Sequence, residues 1–177
     1  STYLTRKGRC SVEIFTILRF PDPRLKLVAQ PVIRFDDSLG QTCANMLQTM
    51  YAANGIGLAA TQVNIQQQIL VVDLSAANNQ PLVIINPTIM NKAGSIIWEE
   101  GCLSFPGIYA KVKRSEKINL EFYDPQGQRQ NMSVEGLLAI CIQHEIDHLN
   151  GITFVDHLSP LRKKLLRNKL DKISQES

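Results

Sequence analysis

Leu137-Leu138-Ala139-Ile140-Cys141-Ile142-Gln143-His144-Glu145-Ile146-Asp147-His148-Leu149-Asn150-Gly151 is the stretch on which the reading of this chain turns. Its length and apolar content fit a buried helix, with Ser133 as N-cap, Glu135 in the first turn and Gly151 as the stop. His144 and His148 stand four residues apart, so on a helix both imidazoles leave one face, about one turn from each other. Two imidazoles so placed reach a single metal ion. A glutamate beside the first, here Glu145, can take a proton from a metal-bound water. A catalytic metal also needs a third protein ligand and an open position.

Upstream of this helix the chain reads mostly as strands. Asp36-Asp37-Ser38 caps a helix over about Leu39 to Ala53, with Leu39, Cys43, Met46, Leu47 and Met50 as its apolar stripe. Gln68 to Leu74 and Leu82 to Ile85 read as buried strands, and Ile96 to Trp98 as a shorter one. Lys117 to Tyr123 alternates, with Ile118, Leu120 and Phe122 on one face. Asp124-Pro125-Gln126-Gly127 is a turn joining two antiparallel strands. Strands gathered before a late helix, without βαβ alternation, give an α+β fold.

The 177 residues are 44% hydrophobic, which suits one domain with one core, burying roughly 70% of its unfolded surface. No apolar run approaches the ~20 residues of a membrane span. The net charge of +3 does not by itself imply a nucleic-acid binder. Nothing at the start resembles a secretory signal, so Cys10, Cys43, Cys102 and Cys141 are expected as reduced thiols in a cytosolic setting. Ser1 to Cys10 are polar and basic, with no apolar pattern before Val12. They are expected to be an extension or tag remnant without order, leaving 11–177 as a single catalytic domain.

Spacing tests the third ligand. The pattern H-E-x-x-H-x-x-G-x-x-H finds its glycine at Gly151 but meets Phe154 where the last histidine belongs. His157 lies nine residues past His148 and suits a surface or packing role. The glutamate of a later helix is wanting too, because Glu176 in the tail is the only one after His148. Cysteine remains. Cys102 lies among glycine and proline in Glu99-Glu100-Gly101-Cys102-Leu103-Ser104-Phe105-Pro106-Gly107, which reads as a turn. Its rival Cys141 shares the helix with both histidines, where three ligands would crowd one side of an ion, so it is read as packing near the site. Gly55-Ile56-Gly57-Leu58-Ala59-Ala60-Thr61-Gln62 matches a dinucleotide fingerprint, with Asp73 near the position of the ribose-binding acid. The context refutes that reading, since a helix precedes the glycines and a strand follows too soon. The glycines instead bring backbone close to a bound substrate.

Taken together, Gly55 to Gln62, Glu100 to Ser104 and Gln143 to His148 resemble the peptide deformylase family. That family carries G-x-G-x-A-A-x-Q, E-G-C-x-S and Q-H-E-x-D-H in this order. The resemblance runs from about Val12 to the basic C-terminal segment and is strongest to the bacterial form with a helical tail. It implies antiparallel sheets packed around a central helix that carries the H-E-x-x-H motif, with a further helix over about 158–174. It also implies a hydrolase that removes the formyl group from the N-terminal formylmethionine of newly made polypeptides and releases formate. The implied metal ligands are Cys102, His144 and His148, holding Fe²⁺ in the cell or Zn²⁺, Ni²⁺ or Co²⁺ in purified protein, with water in the fourth position. Glu145 is implied as general base, with the Gln62 amide and the Leu103 N–H stabilising the oxyanion. Ile56, Gly57 and Gly101 would contact the substrate, and Leu137, Ile140 and Cys141 would hold the methionine side chain.

Some relatives have an arginine near Tyr109 that contacts substrate, and Arg114 is the nearest basic residue to replace it. In the tail, Leu158, Leu161, Leu165 and Leu170 are expected to form an apolar stripe opposite a basic face. Relatives imply that this tail binds ribosomal RNA near the peptide exit. The implied setting is the bacterial cytoplasm, with no membrane partner.

Overall fold

The computed structural model describes residues 2–5 and 8–176, and of 2–5 and 8–11 only the backbone. Thr2–Thr5 (β1) pairs with Gly8–Ser11 (β2) as an antiparallel ribbon, in the segment expected to lack order. Such pairing is carried by backbone groups, so it needs no apolar alternation in the sequence. The Cys10 side chain, read as a tail thiol, lies outside the described part.

The first long helix, α1, spans Asp37–Ala52. Asp36 caps it, its carboxylate accepting the Leu39 N–H at 3.0 Å. Leu39, Cys43, Met46 and Met50 are buried and form the expected stripe. Three strands follow: β3 (Gly57–Ala59), β4 (Ile69–Val72) and β5 (Leu82–Ala93). β5 runs well past the expected end at Ile85. At Asn86-Pro87 the ladder slips through a bulge, and Asn86 takes a positive φ of 51°. The Asn86 side chain holds the backbone of Val32 from both sides, so the irregularity is pinned and the strand resumes at Thr88.

Next comes a hairpin of β6 (Ile96–Cys102) and β7 (Phe105–Arg114). β6 is longer than expected, and β7 escaped the sequence reading. Cys102 closes β6, and the reversal falls on Leu103-Ser104. β8 (Lys117–Tyr123) then turns through Asp124 to Gly127 into β9 (Arg129–Glu135). Ser133 is therefore a strand residue and not a helix cap: it faces Asn119, to whose Oδ1 its hydroxyl donates at 2.7 Å. Cross-strand pairing along all of β9 overrides the local capping signal. The helix α2 starts at Gly136 and ends at Leu149. Gly151, the expected stop, has φ +74°, and a side chain there would run into the Lys26 backbone.

β3, β4, β5, β8 and β9 form one antiparallel sheet in that spatial order. α1 packs on one face through Leu39, Cys43, Met46 and Met50 against Leu58, Ile69, Val71 and Ile85. α2 covers the other through Ala139, Cys141, Ile142 and Leu149 against Leu70, Val72, Ile84, Leu120 and Phe122. β4 lies between the two helices and is buried at every position. The histidine-bearing face of α2 turns away from the sheet, toward the β6–β7 hairpin. The antiparallel α+β architecture around a central helix is thus present.

The tail is not one helix but two, α3 (Pro160–Leu165) and α4 (Arg167–Glu176), broken at Leu166. The break rotates the apolar stripe. Leu158 and Ile173 are buried with Phe105, Ile108 and Phe154, and Leu166 and Leu170 pack against them. Leu161 and Leu165, expected in the stripe, are 66% and 75% exposed.

Candidate metal centre

α2 and the tip of the β6–β7 hairpin bring three donors together. One ligand atom each from Cys102, His144 and His148 lie within 4.8 Å of one another, and they form the one such group among the described residues. Cys102 Sγ is 3.2 Å from His148 Nε2. Bond lengths of about 2.0–2.3 Å around a tetrahedral ion put donors about 3.3–3.6 Å apart, so this cluster is near the size an ion would set. One thiolate and two imidazoles suit a borderline-soft divalent metal.

Glu100 fixes the orientation of His144. Its Oε1 lies 2.8 Å from His144 Nδ1, which places the proton on Nδ1 and turns the Nε2 lone pair to the ligand cluster. Glu100 is itself gripped by Arg114, whose Nε and Nη2 donate to its two oxygens at 2.8 and 2.9 Å. Arg114 also donates through Nη1 to Asp147 Oδ2 at 2.5 Å, and His157 Nε2 meets the same oxygen at 2.8 Å. Burial opposes charge on Glu100, but Arg114 and His144 prevail and hold its pKa down at about 2. Burial likewise opposes charge on His144. Hydrogen bonds to Cys102 and Glu100 and the nearby Glu145 carboxylate nonetheless push its pKa well up. The spot thus attracts positive charge, which an ion would supply, and the residues fit a metal.

Arg114 is therefore no substrate contact. Its side chain is 5% exposed and committed to two carboxylates. Tyr109 is 62% exposed and lies over Gly101, where a Cβ would come 2.7 Å from its ring. His157 stands at the surface, one of the two roles expected of it, and meets Asp147 there. Phe154, which takes the place of a third histidine, stacks on His144 with ring centroids 5.9 Å apart. It wedges between that ring and Phe105.

Glu145 lies beside the cluster, with Oε1 3.6 Å from His144 Nε2. Its Oε2 is buried and has no partner among the described residues. Burial raises its pKa to about 7, only partly opposed by His144. Gly57 passes against it, and a Cβ there would sit 3.2 Å from Glu145 Cγ. That close approach, as well as room for a substrate, explains the glycine. Gln62 sits on a short 3₁₀ turn after β3. Its Oε1 accepts the Ala59 N–H at 3.0 Å, and its Nε2 points to Ser104 Oγ at 3.1 Å and Cys102 Sγ at 3.5 Å. The Gln62 amide is thereby oriented with its donor side toward the metal cluster.

Ile56, Gly57, Gly101, Leu103, Leu137, Ile140 and Cys141 all line one open cleft of about 1340 Å³, with His144 and Glu145 among its walls. Ile140 and Cys141 are buried, and burial pushes the Cys141 thiol up to about 12, so it stays protonated and apolar.

Residues 14–164 match the Polypeptide deformylase family. The chain belongs to the peptide deformylase family. It is 53% identical over 156 residues to the peptide deformylase of Pseudoalteromonas translucida, covering 88% of this chain and 93% of that protein. The crystal structure of a peptide deformylase from Legionella pneumophila superposes with a TM-score of 0.87 at 46% identity, over 92% of this chain and 96% of that one. A Plasmodium falciparum peptide deformylase does so with a TM-score of 0.85 at 36% identity, over 91% and 96%. Deformylases are metal-dependent enzymes that remove the formyl group from nascent peptides, and this chain is an enzyme of that class. No helix among the described residues is long and apolar enough to cross a membrane.

The sequence reading missed Asp147 and Phe154 as parts of the site and gave Arg114 a substrate contact in place of its pairing with Glu100 and Asp147. A signal was there. In β7, Ile108, Ala110, Val112 and Arg114 alternate with exposed residues. An arginine that continues an apolar face is buried, and a buried arginine requires acid partners.

Proposed function

We propose that this chain releases formate from N-terminal formylmethionine, with Cys102, His144 and His148 holding one divalent ion, Fe²⁺ in the cell. When bound, that ion lowers the pKa of a water and polarises the formyl carbonyl. Glu145 takes the proton of the attacking water at Oε2 and delivers it to the leaving amine. A carboxyl raised to about 7 suits both halves of that transfer near neutral pH. Gln62 Nε2 and the Leu103 N–H donate to the formyl oxygen as its charge grows, each worth about 10²–10³ in rate. Gly57 and Gly101 flank the substrate backbone, with Ile56 beside them. Leu137, Ile140 and Cys141 give the methionine thioether an apolar wall.

The observation that carries this reading is the unpartnered Glu145 Oε2, buried beside the donor cluster. The test is Glu145→Ala. The variant keeps one ion per chain by metal analysis, and formate release from a formyl-methionyl tripeptide falls by about 10²–10⁴. Retained turnover, or loss of the metal, counts against the assignment.

For the tail, the exposed Lys163, Lys164, Arg167, Lys169 and Lys172 support contact with ribosomal RNA at the peptide exit, in a bacterial cytoplasm. Truncation after Pro160 would remove Ile173 from the core, so point changes are the better probe. Lys163→Glu with Lys169→Glu should weaken ribosome co-sedimentation at low salt and spare hydrolysis of small peptides.

A further inference from the structure

Asp73 is a buried carboxylate that no step above uses. It follows β4 directly and lies across from Ile56, the residue before β3. Its N–H donates to the Ile56 carbonyl at 2.9 Å. Its Oδ2 accepts the Tyr51 hydroxyl at 2.6 Å and the Gln80 N–H at 3.3 Å. Its Oδ1 accepts both the N–H and the hydroxyl of Ser75, at 2.8 and 2.5 Å. Tyr51 belongs to the last turn of α1, and Gly55 N–H donates back to Met50 in the same helix at 2.9 Å. The short link between α1 and β3 is therefore tied to the helix at one end and to Asp73 at the other.

This tie decides which backbone groups face the cleft. Along an antiparallel strand, successive residues direct their N–H and C=O to opposite sides. The Ile56 carbonyl is turned to β4 and consumed by Asp73. The Ala59 N–H is turned the other way, to Gln62. Ile56 and Leu58 therefore pair inward, whereas Gly57 presents its N–H and C=O to the cleft, against Glu145. Gly57 is the residue of this edge free to pair with an incoming extended peptide.

We propose that Asp73, held by Tyr51, is a positioning residue that sets the Gly57 peptide planes for docking the substrate backbone as an added strand. The inference rests on the deformylase reading. Loss of the clamp lets the α1–β3 link rotate and degrades backbone pairing, while Glu145, Gln62 and the metal ligands stay on their own elements. Its effect must grow with the length of peptide available to pair.

The test uses full-length, metal-loaded Tyr51→Phe, which deletes one hydroxyl and leaves Asp73 partnered by Ser75 and Gln80. Asp73→Asn is the second variant. With a formyl-methionyl tripeptide, KM should rise about three- to tenfold, as for loss of a neutral backbone hydrogen bond to the substrate, with kcat within about twofold. With formyl-methionine amide, which has no chain beyond its first residue to pair, KM should change less than about twofold. Hydrogen exchange at residues 54–58 should quicken, and that in α2 should not. Equal losses on both substrates, a fall confined to kcat, or unchanged exchange would overturn the clamp. If the unaltered enzyme releases no formate from either substrate, it is the activity reading that falls, and the exchange result alone then decides for or against the clamp.

Discussion

Replacing Arg114 by methionine should be the most damaging single change outside the ligands and the base. Its guanidinium is almost wholly buried and supplies two of the three hydrogen bonds that oppose desolvation of Glu100. As a pair the two residues add little net stability, because burying both charges costs about what their attraction returns. Removing one partner is another matter. Glu100 Oε2 would be left with no donor and Oε1 with only His144, a defect of about 3–5 kcal/mol. Asp147 is less affected, being a fifth exposed and still met by His157. For a chain of this size each kcal/mol moves Tm by about 2–4 °C, so a fall of roughly 6–20 °C is expected. A second loss follows. Without Arg114, Glu100 protonates more readily and ceases to be a firm acceptor for His144, and metal affinity should drop about 10–100-fold. Thermal denaturation reads the first effect and competition with a chelator the second. Adding Glu100→Gln to Arg114→Met should restore several degrees of Tm, since it removes the orphaned charge, but should not restore the metal. A Tm fall under about 2 °C, or no recovery in the double variant, would refute the argument.

Phe154→Ala should cost about 3–5 kcal/mol by urea denaturation, because it opens a cavity between Phe105 and the His144 ring. Gly57→Ala should fold but lose about 10–100-fold in kcat, since its Cβ would push the Glu145 side chain off position by a few tenths of an ångström; an unchanged kcat would mean that Glu145 adapts. Cys43 and Cys141, both raised to about 12 by burial, should resist iodoacetamide at pH 7.5 until urea unfolds the chain. For Asp73, burial opposes the charge, but hydrogen bonds from Ser75, Tyr51 and Gln80 hold the carboxyl below its ordinary value. A depressed folded pKa stabilises above the unfolded value near 4 and stops doing so as pH falls through the folded one. Asp73→Asn should therefore flatten the acid limb of the urea midpoint below pH 4 and leave no pH-dependent difference above pH 6.

How far the fold could be read depended on whether a segment's pattern was local. α1 and β8 carry their own signals, a carboxylate cap with a 3.6-residue stripe and a clean alternation, and both stand where those signals put them. β9 and β5 do not. Ser133 and Glu135 form a plausible helix start in isolation, and only pairing with Asn119 and Lys117 makes them strand. Asn86-Pro87 looks like an end because proline cannot donate to a ladder, yet the bulge removes that demand. The tail failed for a related reason. A helix drawn straight through Leu166 puts Leu158, Leu161 and Leu165 on one side. The break there turns Leu166, Leu170 and Ile173 to the core instead.

The site divides along the same line. His144, Glu145 and His148 were legible because one helix fixes their spacing. Cys102 was reached by eliminating the other third ligands and Gly57 by refuting the dinucleotide reading, whereas the role of Gln62 came only through the resemblance; Cys102 ends β6, and Gly57 and Gln62 lie on β3 and the turn after it, so no periodicity relates them to the helix. Arg114 was named, but as a substrate contact and not as the partner of two carboxylates. Its partners lie 14 and 33 residues away, on a neighbouring strand and on α2, and nothing near it in the chain names them. Yet its own strand states the constraint. A residue that continues the Ile108, Ala110, Val112 face must enter the interior, and a guanidinium cannot do so unless carboxylates meet it there. The two that do so are Glu100, separated from Cys102 by Gly101, and Asp147, next to His148. Burial read from alternation, combined with the demand that buried charge be paired, calls for carboxylates around Arg114, and the meeting of β6, β7 and α2 decides which they are.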